Sequence, residues 1–373
     1  MNTSMPPSEG FPQARPNPQR PADSPGFPGA VPSSESGQVI AQDPEHQPGR
    51  PGEATPSRQP WTKPEDQVAS SQSLRESVFS RAARHGDPGW IRAWRSVWRL
   101  VINDPYPEQY SHAVAACQQP VTTGRRIGVI SPVGGAGRST LVAALSLLFS
   151  STRTDHIAAA DLSGRPSGLA PRLVSEDSPS GLKTLAHLAL NRNATGLGEL
   201  QSCSALIGET LHRTTLMEGE APLTSDDVAA LNQAFSRTCA ISVMELPLLP
   251  SEHSASCLQG LHALILAVPP VPSAAEHSYA LLELLQQSNP MLPLLPVLVN
   301  TRRAGRSDQH HATRALRSQL RAANQPTQIH TLSHDRHLGL GEHLRLTRIG
   351  EDRRLQLAQI GAAALTAAQG GRQ

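Results

Sequence analysis

The sequence predicts an α/β domain in which helices cover both faces of a mostly parallel sheet, preceded by a disordered, proline-rich arm. Apolar runs of strand length alternate with helical stretches, and such alternation is typical of a parallel sheet. The runs are apolar throughout instead of at every second residue, which indicates strands buried on both faces. A glycine-rich turn joins the first run to its helix.

We expect strands at six apolar runs, in chain order 126–131, 156–161, 239–246, 262–269, 295–300 and 328–333. The first run, RIGVIS, leads through the glycines into the helical stretch STLVAALSLLFSS. Later helical stretches are expected at 224–236, 272–288, 310–323 and 350–368. The sequence shows no internal repeat, so these elements are assigned to one domain at 125–373.

Residues 1–70 are expected to form the disordered arm. They hold 15 of the 33 prolines of the chain, together with much Ser, Gln, Gly and Glu and a single tryptophan, Trp61. Hydrophobic residues make up only 38% of the chain, which is below the near-half typical of globular proteins. A segment of this composition cannot bury enough apolar surface to offset its conformational entropy.

Residues 71–124 are expected to hold an amphipathic helix and a linker. In WIRAWRSVWRLVI (90–102), Trp90, Trp94 and Trp98 share one face and three arginines share the other, as helical periodicity predicts. Two interpretations stay open. The helix packs against its own domain or a partner protein, or its tryptophan face enters a membrane surface while the arginines meet anionic lipid.

Composition excludes few classes of function. The formal charge of +2 and the pI near 8.5 are too mild to indicate nucleic-acid binding. The four cysteines have no C-x-x-C pairing and no histidine partners at metal spacing, so we expect idle thiols in a reducing compartment: Cys117, Cys203, Cys239 and Cys257. No run is long enough to span a membrane, and no apolar signal core is visible near the first residue. We therefore expect a cytosolic protein.

The segment SPVGGAGRSTLVAAL (131–145) has the outline of a phosphate-binding loop. Between a strand and its helix, a glycine-rich turn surrounds an anion with backbone N–H groups at the positive helix end. The strict motif G-x-x-x-x-G-K-[ST] is missed twice, because Pro132 replaces its first glycine and Arg138 its lysine. Ser139 and Thr140 are nevertheless placed to meet Mg²⁺ and a phosphate. The alternative is a glycine-rich turn that binds nothing.

The order of these motifs resembles the MinD/ParA group of P-loop ATPases. The resemblance rests on IGVISPVGGAGRSTLVAALS, AAADLSGRPSG, an apolar strand that ends in an acid, and PVLVN. It implies a P-loop NTPase-like fold, binding of ATP and Mg²⁺, and a homodimer. The loop residues matched to the nucleotide are Gly134, Gly135, Ala136, Gly137, Arg138, Ser139 and Thr140.

The resemblance also implies roles for residues outside the loop. Asp161 matches the second-strand aspartate that positions water and Mg²⁺, and Asn300 matches an asparagine that contacts adenine. Ser139 and Glu245 would hold the metal, although Glu245 is one methylene longer than the usual aspartate. Val133 stands where the family has a signature lysine that reaches the nucleotide of the partner subunit.

A narrower resemblance covers the chain from about residue 88. The proline-rich arm, the tryptophan and arginine helix, the linker and HDRHLGLGEHLRL near the end are similar to MinD-like proteins encoded with type VII (ESX) secretion systems. This similarity implies partners in the secretion machinery. The loop around HDRH matches the P-x-D-x-x-L turn of the family, and the resemblance implies that it lies near the adenine base of the nucleotide.

Three altered positions predict weak or lost ATP hydrolysis. Val133 cannot stabilise charge on a transferring phosphoryl group, and Arg138 and Glu245 differ in reach from the lysine and aspartate they replace. The predicted function is a nucleotide-binding accessory or positioning switch. Two alternatives stay open: an active ATPase that partitions cargo or DNA, and a structural scaffold that binds no nucleotide.

Overall fold

The computed structural model describes residues 105–164, 168–175, 181–192, 196–217, 219–248 and 254–370. The arm expected at 1–70 and the face formed by Trp90, Trp94 and Trp98 lie outside the described residues. Within the described residues, no helix combines the length and the apolar character that a membrane span requires.

The strands form an eight-stranded sheet of order β3-β4-β2-β5-β1-β6-β7-β8. Only the β3–β4 pair is antiparallel, and every other neighbouring pair is parallel. The strands are β1 (Arg125–Ile130), β2 (Ile157–Asp161), β3 (Ala205–Ile207), β4 (Leu211–Thr214), β5 (Ile241–Glu245), β6 (Ala263–Val268), β7 (Leu294–Val299) and β8 (His330–Leu332).

The helices before β6 are α1 (Tyr106–Cys117), α2 (Arg138–Thr152), α3 (Leu169–Arg172), α4 (Leu182–Arg192), α5 (Leu197–Cys203), α6 (Ser225–Thr238) and α7 (Ser254–Gln259). Those after β6 are α8 (Pro272–Glu276), α9 (Ser278–Ser288), α10 (Arg306–Ala322), α11 (Arg336–Gly339) and α12 (Glu351–Ala368).

Both faces of the sheet are covered, which confirms the predicted fold class. Alternate residues of each central strand enter different apolar clusters; in β1, Ile127 packs with α2 and α12 while Ile130 packs with α4 and α6. Strands of this kind have no solvent-facing side, which explains why their sequences are apolar throughout. The carboxyl ends of the parallel strands consequently meet at one edge of the sheet, where loops are free to form a site.

The structure adds elements that the apolar runs do not predict. Helix α1 lies in the expected linker and packs on α12, with Cys117 Sγ donating to the carbonyl oxygen of Ala358 at 3.5 Å. A Cβ at Gly361 would lie 3.4 Å from Cys117 Sγ, so this glycine permits the close approach. The stretch expected as one helix at 272–288 is two helices that meet at His277, and α10 begins earlier than expected, at Arg306.

A pair of histidines links the residue before β2 to β4, and His212 is the buried member of the pair. His156 Nδ1 lies 3.0 Å from His212 Nε2, and His212 Nδ1 lies 3.0 Å from Ser204 Oγ. Burial, and then the neighbouring His156, lower the pKa of His212 from 6.5 to about 4. Because the unfolded chain takes up a proton that the folded chain rejects, this histidine stabilises the fold above pH 6.5 and that stabilisation is lost as the pH falls toward 4.

Replacing His212 with Gln should therefore weaken the pH dependence of stability. Between pH 7 and pH 5, the free energy of unfolding should fall by about 2 kcal/mol less in the variant than in the wild type. Urea denaturation followed by circular dichroism at both pH values measures this difference. Ser204→Ala is the control, since it removes the neighbouring hydroxyl but keeps the titrating ring and the pH dependence. An unchanged pH dependence in His212→Gln would contradict the assignment.

Candidate functional site

The loop between β1 and α2 takes a conformation that depends on glycine. Gly135 and Gly137 have φ values of 72° and 83°, in the left-handed region that side chains disfavour. Gly137 immediately precedes α2, and a Cβ there would lie 3.1 Å from Val299 Cγ1 and 3.2 Å from Thr301 Cγ2. The loop is thus folded tightly against the end of β7, with the N-terminus of α2 facing the space above it.

That space is a pocket of about 240 Å³ at the carboxyl edge of the sheet. The end of β5 and the segments that follow β1, β2, β7 and β8 converge there because parallel strands end on the same side. The residues that line the pocket are Gly135, Ala136, Gly137, Arg138, Ser139, Thr140, Arg172, Glu245, Val299, Asn300, Thr301, Leu332, Ser333, Asp335, Leu338 and Gly339. Near the glycine loop the lining carries the charged groups of Arg138, Arg172 and Glu245. The part that follows β7 and β8 carries amide, hydroxyl and apolar groups and the carboxylate of Asp335.

Arg138 turns its guanidinium toward the end of β5. Its Nη1 donates a hydrogen bond to the carbonyl oxygen of Leu246, and its Nη2 lies 3.9 Å from Glu245 Oε1. The side chain is only 13% exposed. Burial lowers the pKa of this guanidinium, against the opposing effects of Glu245 and Asp161. Arg138 is therefore the counter-ion of Glu245 in this structure.

Glu245 and Asp161 end the neighbouring strands β5 and β2 in register. Ser139 Oγ donates to Glu245 Oε1 at 2.9 Å, and Asp161 Oδ1 accepts from the backbone N–H of Ser163 at 2.9 Å. Burial raises the pKa of the Glu245 carboxyl, and the neighbouring Asp161 raises it further; Ser139, Arg138 and Arg172 lower it. Glu245 Oε2 is buried with no hydrogen-bond partner among the described residues.

These oxygens suit a hard cation. A hydroxyl beside a carboxylate, with a second carboxylate nearby, is a donor set that Mg²⁺ accepts. The described residues contain no group of three or more His, Cys, Asp or Glu that could hold a metal by itself. A metal at Ser139 and Glu245 would therefore complete its coordination with phosphate oxygens or water, as Mg²⁺ commonly does.

Asn300 marks the other end of the pocket. It follows β7, and its backbone N–H donates to Leu332 at 2.9 Å. Its Oδ1 is buried and makes no hydrogen bond to the described residues, which is unusual for a buried amide. Asp335 lies nearby, but its carboxylate is already engaged: Oδ1 accepts from the N–H groups of His337 and Leu338, and Oδ2 from that of Gly350.

The structure brings most of the predicted residues together. Eight of them line the pocket: Gly135, Ala136, Gly137, Arg138, Ser139, Thr140, Glu245 and Asn300. Gly134 and Asp161 do not line it; Asp161 is 1% exposed and lies beside Glu245 on the neighbouring strand. Val133 is half-buried and packs against the apolar cluster that contains Ile130, on the face of the sheet covered by α4 and α6.

Sequence reasoning missed Arg172 and the pocket contribution of Ser333. The loop that holds Asp335 is expected near the adenine base, and in the structure it lines the pocket together with Asn300, the residue matched to adenine. The only signal for Arg172 in the sequence was its place shortly after Asp161, in a segment with no periodic pattern.

Comparison with solved structures identifies the fold. A ParA family ATPase from Chlorobium tepidum TLS matches with a TM-score of 0.50 at 16% sequence identity, over 65% of this chain and 98% of that one. This chain has the fold of that ATPase. The cell division ATPase MinD of Pyrococcus furiosus matches at 18% identity, over 64% of this chain and 98% of that one, with a TM-score of 0.48. No family model and no curated protein matches the sequence.

The left-handed loop predicts a contrast between two glycines. Gly137→Ala should lower the free energy of unfolding by about 1 to 2 kcal/mol, because alanine is strained at a positive φ and its Cβ would press on Val299. Gly134→Ala is the matched control, since Gly134 does not have a positive φ and no atom lies within 4 Å of an added Cβ. Urea denaturation compares the two variants, and equal losses would refute this account of the loop.

Proposed function

We propose that this chain binds MgATP in the pocket and hydrolyses it slowly, acting as a nucleotide-dependent switch. The observation that carries the proposal is that one pocket combines groups suited to phosphates with a group suited to adenine. A glycine loop and a helix N-terminus suit phosphates, and a buried amide oxygen without a partner at Asn300 suits the exocyclic amino group of adenine. The bound nucleotide would satisfy both ends at once.

The residues present fit ATP and Mg²⁺. Backbone N–H groups from Gly135 to Thr140 would hold phosphate oxygens, and Ser139 with Glu245 would hold the metal. The metal ion would supply charge neutralisation at the phosphates. Arg138 would contribute a cation, once its contact with Glu245 is exchanged for one with phosphate.

Slow hydrolysis follows from the charges that surround the pocket. Val133 packs into the apolar cluster and offers no charge to a transferring phosphoryl group. Arg138 is a planar fork, longer than the compact lysine point charge, and its present position is fixed by Leu246 and Glu245. Catalysis is sensitive to misplacement of about 1 Å, so altered reach costs more in turnover than in binding.

Two other functions compete with the switch. The ion contact between Arg138 and Glu245 already neutralises Glu245 without a metal ion, and this favours a scaffold that binds no nucleotide. An active ATPase that partitions cargo or DNA is the other candidate, favoured by the position of Ser139 on Glu245. ATP affinity separates the scaffold from the switch, and turnover separates the active ATPase from it.

ATP affinity and turnover should be measured in the wild type and in the triple variant Val133→Lys, Arg138→Lys, Glu245→Asp. We expect the wild type to bind MgATP and to turn over at least about 100-fold more slowly than the triple variant, since one positioned charge is commonly worth that factor. Arg153→Lys is the control for arginine replacement, because Arg153 pairs with Asp155 outside the pocket. Equal turnover in wild type and triple variant would refute slow hydrolysis, and absence of ATP binding would leave the scaffold.

The biological setting is proposed from the sequence resemblance alone. We propose a cytoplasmic homodimer that serves a type VII secretion machine, with Trp90, Trp94 and Trp98 contacting the membrane surface or a partner protein. Neighbouring genes for secretion ATPases and small WxG-type substrates would support this setting. Chromosome-partition neighbours would count against it.

A further inference from the structure

A second guanidinium enters the phosphate end of the pocket from α3. Arg172, the last residue of that helix, lines the pocket together with the glycine loop. Its Nε donates to Thr140 Oγ1 at 2.8 Å, and its Nη1 donates to the carbonyl oxygen of Gly168 at 2.6 Å. The pocket therefore has two arginines, one from the start of α2 and one from α3.

Neighbouring backbone and two glycines hold the side chain of Arg172 in position. The backbone carbonyl of Arg172 accepts from the N–H of Leu344 at 2.9 Å. A Cβ at Gly168 would lie 2.2 Å from Arg172 Nη1, and one at Gly341 would lie 3.3 Å from its Nη2. Gly341 also has a positive φ of 74°. Glycine at both positions thus makes room for the guanidinium.

The charge of Arg172 lacks a close counter-ion. Among the described residues, its hydrogen bonds run to a hydroxyl and a carbonyl, Nη2 makes none, and the ion pairs do not include it. Burial lowers the pKa of this guanidinium, with Glu245 opposing the effect from a distance. A partly buried cation without an anion is costly, and an anion bound on the glycine loop would remove that cost.

We propose that Arg172 is a second phosphate-binding residue. It supplies, from within the same chain, a positive charge that is missing at Val133. This inference rests on the proposed nucleotide binding and specifies it. Two arginines that converge on one loop select a ligand with several negative charges, a nucleoside diphosphate or triphosphate, over a neutral nucleoside. The contact with Thr140 fixes the direction from which the charge approaches.

The test compares Arg172, which lines the pocket, with a second arginine that contacts α3 outside the pocket. Arg213 Nη1 donates to the carbonyl oxygens of Ala170 and Leu173, so it supports the same helix but does not line the pocket. Titration calorimetry with MgATP and MgADP should show that Arg172→Gln weakens both by about 10- to 100-fold, the effect of one charge-assisted hydrogen bond. Arg213→Gln should change affinity less than about threefold. Arg172→Lys should recover part of the loss.

Salt dependence separates a phosphate contact from a purely structural role. Affinity of the wild type should fall as salt rises, and the fall should be shallower in Arg172→Gln but unchanged in Arg213→Gln. If Arg172→Gln does not fold, Arg172→Met retains the apolar stem and carries the same expectation. This inference alone is overturned if the wild type binds nucleotide and the neutral variants at Arg172 bind it with the same affinity. It is also overturned if those variants lose no more affinity than Arg213→Gln and show the same salt dependence. A wild type that binds no nucleotide overturns the proposed function as well.

Discussion

Burial of two like charges at adjacent strand ends is the constraint around which this edge of the sheet is built. Parallel pairing of β2 with β5 sets Asp161 beside Glu245 in register, with both side chains almost fully buried. Two carboxylates in such a place repel each other and lose hydration, so cationic groups and hydrogen-bond donors must surround them. Arg138 and Ser139, the first residues of α2, provide these at Glu245. The glycine loop is what brings the helix start close enough to do so.

This arrangement gives Arg138 two alternative tasks. Without a ligand, it neutralises Glu245 and donates to the carbonyl of Leu246. With a phosphate on the loop, the same guanidinium would face the new anion, and Glu245 would need a different cation. Mg²⁺ at Ser139 and Glu245 would provide that cation. This couples the two ligands, since phosphate without the metal would draw Arg138 away and leave Glu245 buried beside no cation.

Much of the fold could be predicted because central strands buried on both faces produce apolar runs. Strands β1, β2, β5, β6, β7 and β8 overlap the six predicted runs within a few residues. The edge pair β3 and β4 has no such run: these strands are three and four residues long, and β4 carries His212 and Arg213. Helix α1 escaped prediction since it buries only the small residues Ala113 and Cys117.

The site divides in the same way between local and long-range information. The glycine loop is contiguous, so its residues and the end of α2 could be read from spacing. Asn300 came from the resemblance to MinD/ParA ATPases, which matches it to an asparagine that contacts adenine. Arg172 could not be found, because its place in the pocket depends on residues far from it in the chain, Thr140 and Gly341. The proposed role of this arginine depends on how α2, α3 and the loop at Gly341 pack together, and no contiguous stretch of the sequence records that packing.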